Sequence, residues 1–184
     1  LPWFPAYAGI IITELPPEYG QKMAEFLNHY GRLLLVLNDL NDLEDHSHPA
    51  GDDIGQRVNS VMKAFLACKE IEPWEKETLR RTFYKKSIQD RRRSWFELDP
   101  ADYIDVQQAL DVMRRRRPEI ARVLMEQLQP DYDQGMECIE YFFQHHYDLF
   151  VDPAQRQVAC ILYEIYVRNL RNLWGKLYRY SKGK

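Results

Sequence analysis

Apolar residues recur along this chain at three- and four-residue spacings, and the alternation that marks strands is nearly absent. That pattern predicts helices throughout. Met23, Phe26, Leu27, Tyr30, Leu34 and Leu37 follow the period of a helix that begins near Pro17, where proline suits a first turn, and runs to about Glu44. A short helix over about Ala6 to Glu14 precedes it and ends at "LPPEYG". A third covers about Ile54 to Cys68, and a long amphipathic one Glu75 to Phe96, with Leu79, Phe83 and Ile88 on one side. "LDPADY" and "VDPAQ" each set an aspartate (Asp99, Asp152) before a proline, an N-cap followed by a first-turn proline. The first signal opens a helix that ends before Pro118. Another continues to about Leu128, "QPDYDQGMECIEYFFQHHYDLF" is helical again, and the last helix runs to about Tyr180. No repeat, low-complexity linker or domain boundary interrupts this series. The expectation is a single all-α domain over residues 1–184, an antiparallel bundle of about seven helices.

Composition supports one soluble globular domain: 184 residues, 45% hydrophobic and 29% charged, can bury a sizeable core. A formal net charge of -3 argues against nucleic-acid binding as the main role, because neutralising phosphates needs a basic excess. Two arginine runs, Arg91 to Arg93 and Arg114 to Arg117, lie among acids in helix-like sequence. They read as solvated faces, with a polyanion contact as the alternative. Cys68, Cys138 and Cys160 are odd in number and lack CxxC spacing, as buried free thiols of a reducing compartment would be. With no signal-peptide pattern and no apolar run near the length of a membrane span, the expectation is a cytoplasmic protein without a transmembrane segment. The abrupt start at Leu1, on "LPWFPAY", suggests a processed or truncated piece.

Charge becomes informative in one place. "LLLVLNDLNDLEDHSHPAGDDIGQR", from Leu33 to Arg57, carries Asp39, Asp42, Glu44 and Asp45 at a helix end, then Asp52 and Asp53 after a loop. Like charges crowded at the negative pole of a helix repel one another and the helix dipole unless something positive sits there. Asp39 and Asp42 project together, and Asn38 joins Asp42 at the four-residue spacing. This N-D-x-x-D arrangement can hold an oxygen-loving divalent cation. Mg²⁺ takes one or two protein carboxylates and fills its other positions with water and phosphate oxygens. The apolar run before the acids would be a greasy wall, and Arg57 could meet a phosphate. The bland alternative is a solvated helix end.

"HYGRLLLVLNDLNDLED…GDDIGQRVNSVMKAFL" resembles the second aspartate-rich motif of the class I isoprenoid synthases, the trans-polyprenyl diphosphate synthases above all. Gly31, Asn38, Asp39, Asp42, Gly51 and Asp52 match in order, and Arg57 falls near the family's Lys. Upstream, "AYAGIIITEL" stands where the family has a pocket-lining helix, with Gly9 as its glycine. The resemblance covers about the first third of the chain and corresponds to the C-terminal half of the family domain. It implies a bundle around a central cavity, Mg²⁺ as cofactor and an allylic prenyl diphosphate as substrate, ionised for transfer or cyclisation. Asp39, Asp42 and Asn38 would then ligate the metal, and Arg57, Asp52 and Asp53 would serve the diphosphate. Leu34, Leu35, Val36, Ile10 and Ile11 would form the hydrocarbon pocket. The family's Lys-Thr pair is replaced by Tyr7 and Ala8, and its Gln by Leu35. The first acidic motif is not in this sequence, so another segment or a partner chain would supply it. A homodimer is a further expectation.

Other chemistry is thin. His46 and His48 lie beside acids, but no third ligand falls at a recognisable zinc spacing, and His29 and the adjacent His145 and His146 add none. Arg168 and Arg171 on the last helix could contact a diphosphate or a partner, though the plain reading is a basic outer face. The competing functional reading is a scaffold or regulatory subunit derived from the same bundle, with aromatic helix faces as its interface.

Overall fold

A computed structural model describes residues 17–43, 60–85, 99–145 and 152–183. Among them it is all-helical: α1 (Pro17–Asp42), α2 (Ser60–Ala67), α3 (Pro73–Phe83), α4 (Pro100–Arg115), α5 (Arg117–Gln144) and α6 (Pro153–Ser181). The short helix expected over Ala6 to Glu14 lies outside the described residues.

The start signals work as the sequence chemistry requires. Asp99 accepts a hydrogen bond from the Asp102 N–H at 2.9 Å, and Asp152 one from the Ala154 N–H at 2.8 Å. Each satisfies a donor that the first helical turn leaves without a partner. α3 opens on a capping box in which the Glu72 N–H donates to Glu75 Oε2 at 3.2 Å, with Pro73 in the first turn.

Two boundaries correct the sequence reading. The helix expected to reach Phe96 ends at Phe83, and Tyr84 adopts φ -98°, ψ 2°. Beyond it Lys85 is held by α4, with Nζ 3.2 Å from Asp102 Oδ1 and also paired with the Asp105 carboxylate. These tertiary ion pairs link Lys85, just beyond the end of α3, to α4. Ile88 and Arg91 to Arg93 lie outside the described residues. The second correction is at Pro130. Proline there predicts a break, yet α5 runs through it to Gln144. An interior proline removes one backbone bond and costs about 3 kcal/mol in an isolated helix. Packing on both sides offsets it: Leu128 and Asp131 are buried, and the Tyr132 ring stacks on Trp174 at 4.8 Å. Pro118, by contrast, sits in the first turn of α5, where its missing donor costs nothing.

Contacts gather into two compact units, residues 1–35 with 127–176 and residues 36–126 with 177–184. In the first unit, Phe26 is fully buried and meets Tyr166 edge-on at 5.2 Å, while Phe143 stacks on Tyr163 at 4.1 Å. Gly135 allows close helix approach here. A Cβ at that position would lie 3.3 Å from Leu170 Cδ2 and 3.5 Å from the His29 Cβ.

In the second unit, Leu40, Phe65, Leu79, Leu110 and Leu124 are fully buried, and α3 packs on α4. Its polar anchor is Glu75, 3% exposed, whose carboxylate faces Arg116 at the α4–α5 break, with Nη2 2.9 Å from Oε2 and Nε 3.0 Å from each oxygen. Burial pushes the Glu75 carboxyl up, but the Arg116 guanidinium and the Glu72 N–H outweigh it and hold the group below its ordinary value of 4.5.

Two outcomes follow from this packing. Gly135→Val forces a branched side chain into the α1–α5–α6 approach and lowers stability by about 1–3 kcal/mol in denaturant titration. Glu75→Gln removes the charge that holds Arg116 and costs about 1–3 kcal/mol at pH 7. Because the folded pKa lies below the unfolded one, Glu75's contribution is complete above pH 4.5 and fades as pH falls through the folded value. The gap in melting temperature between wild type and Glu75→Gln therefore narrows on acidification below pH 4.5.

Candidate functional site

The acidic segment occupies the last turns of α1. Asn38 is exposed and donates from Nδ2 to Asp42 Oδ2 at 3.3 Å, so the four-residue spacing does bring these two together. Asp39 is buried at 6% exposure and Asp42 is half-buried. The apolar run before them divides: Leu34 and Leu35 are 47% and 61% exposed, whereas Val36 is buried. A segment apolar all round in sequence is thus packed on one face only, through Leu33, Val36, Leu37, Leu40 and Leu43. Ile10, Ile11, Asp52, Asp53 and Arg57 lie outside the described residues, as do Gly9, Glu44, Asp45, His46, His48, Gly51 and His146.

A cation from the second arginine run, with no local signal tying it to α1, serves this helix end. Arg114 donates from Nε to the Leu43 carbonyl at 2.6 Å and from Nη1 to Asp111 at 2.7 Å. A guanidinium on the terminal carbonyl of α1 offsets the negative pole that the acids aggravate. Its neighbours are also engaged. Arg116 holds Glu75 and Glu119, and the Arg117 guanidinium lies 4.4 Å from the centre of the Tyr180 ring. Arg114, Arg116 and Arg117 are therefore half-buried tethers, which corrects the solvated-face reading for these three, while Arg115 is exposed as that reading expects.

A second constellation lies in the other unit. α1 and α5 enclose a groove of about 470 Å³ lined by Lys22, Glu25, His29, Gln134, Glu137, Cys138 and Tyr141. Lys22 Nζ donates to Glu25 Oε2 at 2.9 Å, and the Cys138 thiol approaches the same oxygen at 3.7 Å. The hydrogen bond from Lys22 draws the Glu25 carboxyl down against its partial desolvation, and the same bond raises Lys22. Burial pushes the Cys138 thiol above its ordinary 9.0. One turn along, His29 Nδ1 and Arg32 Nη1 each meet Asp131 Oδ1 at 2.8 Å, and Asp131 is 3% exposed. A buried carboxylate thus fixes the ring of a histidine that borders the groove. His29 and Asp131 are 102 residues apart, so no local motif announces them.

Chemically, the groove offers paired charges and an oriented imidazole. It offers no activated nucleophile, because a thiol with a raised pKa is almost wholly protonated at neutral pH. Among the described residues, no three His, Cys, Asp or Glu side chains gather as a metal site. No described helix is long and apolar enough to cross a membrane. Comparison with known proteins finds no matching family model, no matching curated protein and no matching solved structure.

The Cys138 environment has a direct readout. At pH 8, an iodoacetamide time course followed by peptide mass spectrometry should show Cys138 alkylated about tenfold or more slowly than the half-exposed Cys160. Equal rates would mean that burial does not suppress the Cys138 thiolate.

Proposed function

We propose that this chain is a class I isoprenoid-synthase-like helical protein that takes part in Mg²⁺-dependent ionisation of an allylic prenyl diphosphate, for transfer or cyclisation. The observation that supports this most is the end of α1, where Asn38 and Asp42 touch at 3.3 Å beside a buried Asp39, in the order N-D-x-x-D. Two carboxylates and an amide oxygen are the hard donors that Mg²⁺ prefers. Asp39 and Asp42 would hold the metal and Asn38 would ligate or orient it. A carboxylate withdrawn from water attracts a cation with less screening than an exposed one.

When bound, the metal supplies Lewis-acid stabilisation of the departing diphosphate. The chain's own residues would bind and shelter: Arg57, with Asp52 and Asp53, at the diphosphate, and Leu34, Leu35, Ile10 and Ile11 along the hydrocarbon, whereas Val36 of the same expected set is packed into the core. In this reading the helices form a bundle around a central cavity, and the first acidic motif comes from another segment or from a partner chain.

The test is calorimetric titration of a non-hydrolysable allylic diphosphate analogue, with and without Mg²⁺, on wild type and on Asp39→Ala/Asp42→Ala. Saturable binding that needs both metal and aspartates is expected, with affinity falling at least about tenfold in the variant, or 1.4 kcal/mol. Binding indifferent to either, or none at all in a variant-independent way with helicity intact by circular dichroism, overturns the reading. In that case the second reading stands, a scaffold or regulatory helical protein. The observation that favours it is the exposed apolar stripe Val158, Ile161, Leu162 and Ile165 on α6.

A further inference from the structure

The first half of α6 is apolar on both sides. Ala159, Val167 and Leu170 turn inward and are buried. Val158, Ile161, Leu162 and Ile165 turn outward, 55%, 51%, 42% and 42% exposed. At about 100° per residue these four fall within an arc of about 100°, opposite the buried set. A contiguous apolar stripe on the solvent side of a helix marks a surface that a partner covers. Three of the four are β-branched, with little side-chain freedom to lose when covered. Farther along, the same face carries Asn169 and Asn172, so the apolar stripe is finite.

The stripe is its own complement when reversed. Read in either direction, its spacing is three, one, three. Two copies of α6 laid antiparallel about a two-fold axis between positions 161 and 162 bring Val158 of each against Ile165 of the other. Ile161 and Leu162 straddle the axis, each beside its counterpart in the second copy. One edge of the stripe carries exposed Gln157, Glu164 and Arg168. In this register the Gln157 amide lies between Glu164 and Arg168 of the second copy. It can donate to the carboxylate and accept from the guanidinium, and Glu164 and Arg168 keep clear of their own counterparts. A self-matching patch with the same surface on both partners is what an isologous contact requires.

We propose that the outward face of α6 is a homodimer interface, in which two copies of this chain pair antiparallel through Val158, Ile161, Leu162 and Ile165. The proposal is independent of metal or diphosphate binding, so either can fail without the other. Because all four side chains are exposed in the single chain, substituting them disturbs the interface and spares the core.

Sedimentation velocity across about 1 to 100 µM tests it. Wild type is expected to pass from monomer to dimer with rising concentration. Ile161→Glu is expected to raise the dissociation constant at least about tenfold, with helicity and melting temperature unchanged. Register is read by mild oxidation on a Cys160→Ser background. Ile161→Cys should form a disulfide-linked dimer by itself. Val158→Cys alone should not, but a mixture of Val158→Cys and Ile165→Cys chains should. A wild type that stays monomeric throughout overturns the proposal, even if the chain captures a different protein. So does a dimer that survives Ile161→Glu, or one in which Val158→Cys links to itself.

Discussion

A carboxylate taken out of water must be paired with donors or a cation, and two such carboxylates organise the two units of this chain. Asp131 collects His29 and Arg32 onto one oxygen, tying α1 to α5 within the first unit. Glu75 receives Arg116, the single residue between α4 and α5, tying α3 to that break within the second. Neither pair replaces the apolar core. Each fixes which way its helices face, because a charge left alone at such a site would cost more than the pair contributes.

The acid-rich end of α1 obeys the same logic in a less closed form. Part of its unfavourable charge is offset by Arg114 on the Leu43 carbonyl, from a run that composition alone suggested was solvated. Asn38, Asp39 and Asp42 lie within two turns of α1, and the proposed function assigns them the role of cation donors. The exposed Leu34 and Leu35 keep apolar surface beside it. In the proposed function, acid and apolar surface serve the two ends of one amphiphilic substrate.

α6 contributes differently. Its inner face supplies core, and its outer face shows aliphatic surface with no charge within it. In the proposed dimer, assembly uses α6 and the proposed metal chemistry uses the end of α1. The polar groove between α1 and α5, with its buried Cys138 thiol and oriented His29, gathers further titratable side chains within the first unit.

Sequence by itself determined the helical class and the starts of α1, α4 and α6. These depend on spacing and on Pro and Asp chemistry within four residues, interactions that a local reading captures. It also determined that Asn38 and Asp42 would meet, since one helical turn fixes that distance. Tertiary structure decided the rest. α3 stops at Phe83, short of its periodic pattern, and Lys85 just beyond it pairs with residues of α4. Pro130 is carried inside a helix because Asp131 and Tyr132 are held from elsewhere. Three of the four arginines in the run, Arg114, Arg116 and Arg117, are drawn to Leu43, Glu75 and Tyr180, all distant in sequence. His29 acquires its carboxylate from 102 residues away. Periodicity cannot say which of two apolar faces is covered, and so only the packed chain reveals that Leu34, Leu35 and the outer stripe of α6 stand in solvent. The physical reason is the same throughout: hydrogen bonds within a turn are written locally, while burial and charge pairing are properties of neighbours that the chain brings together only when it folds.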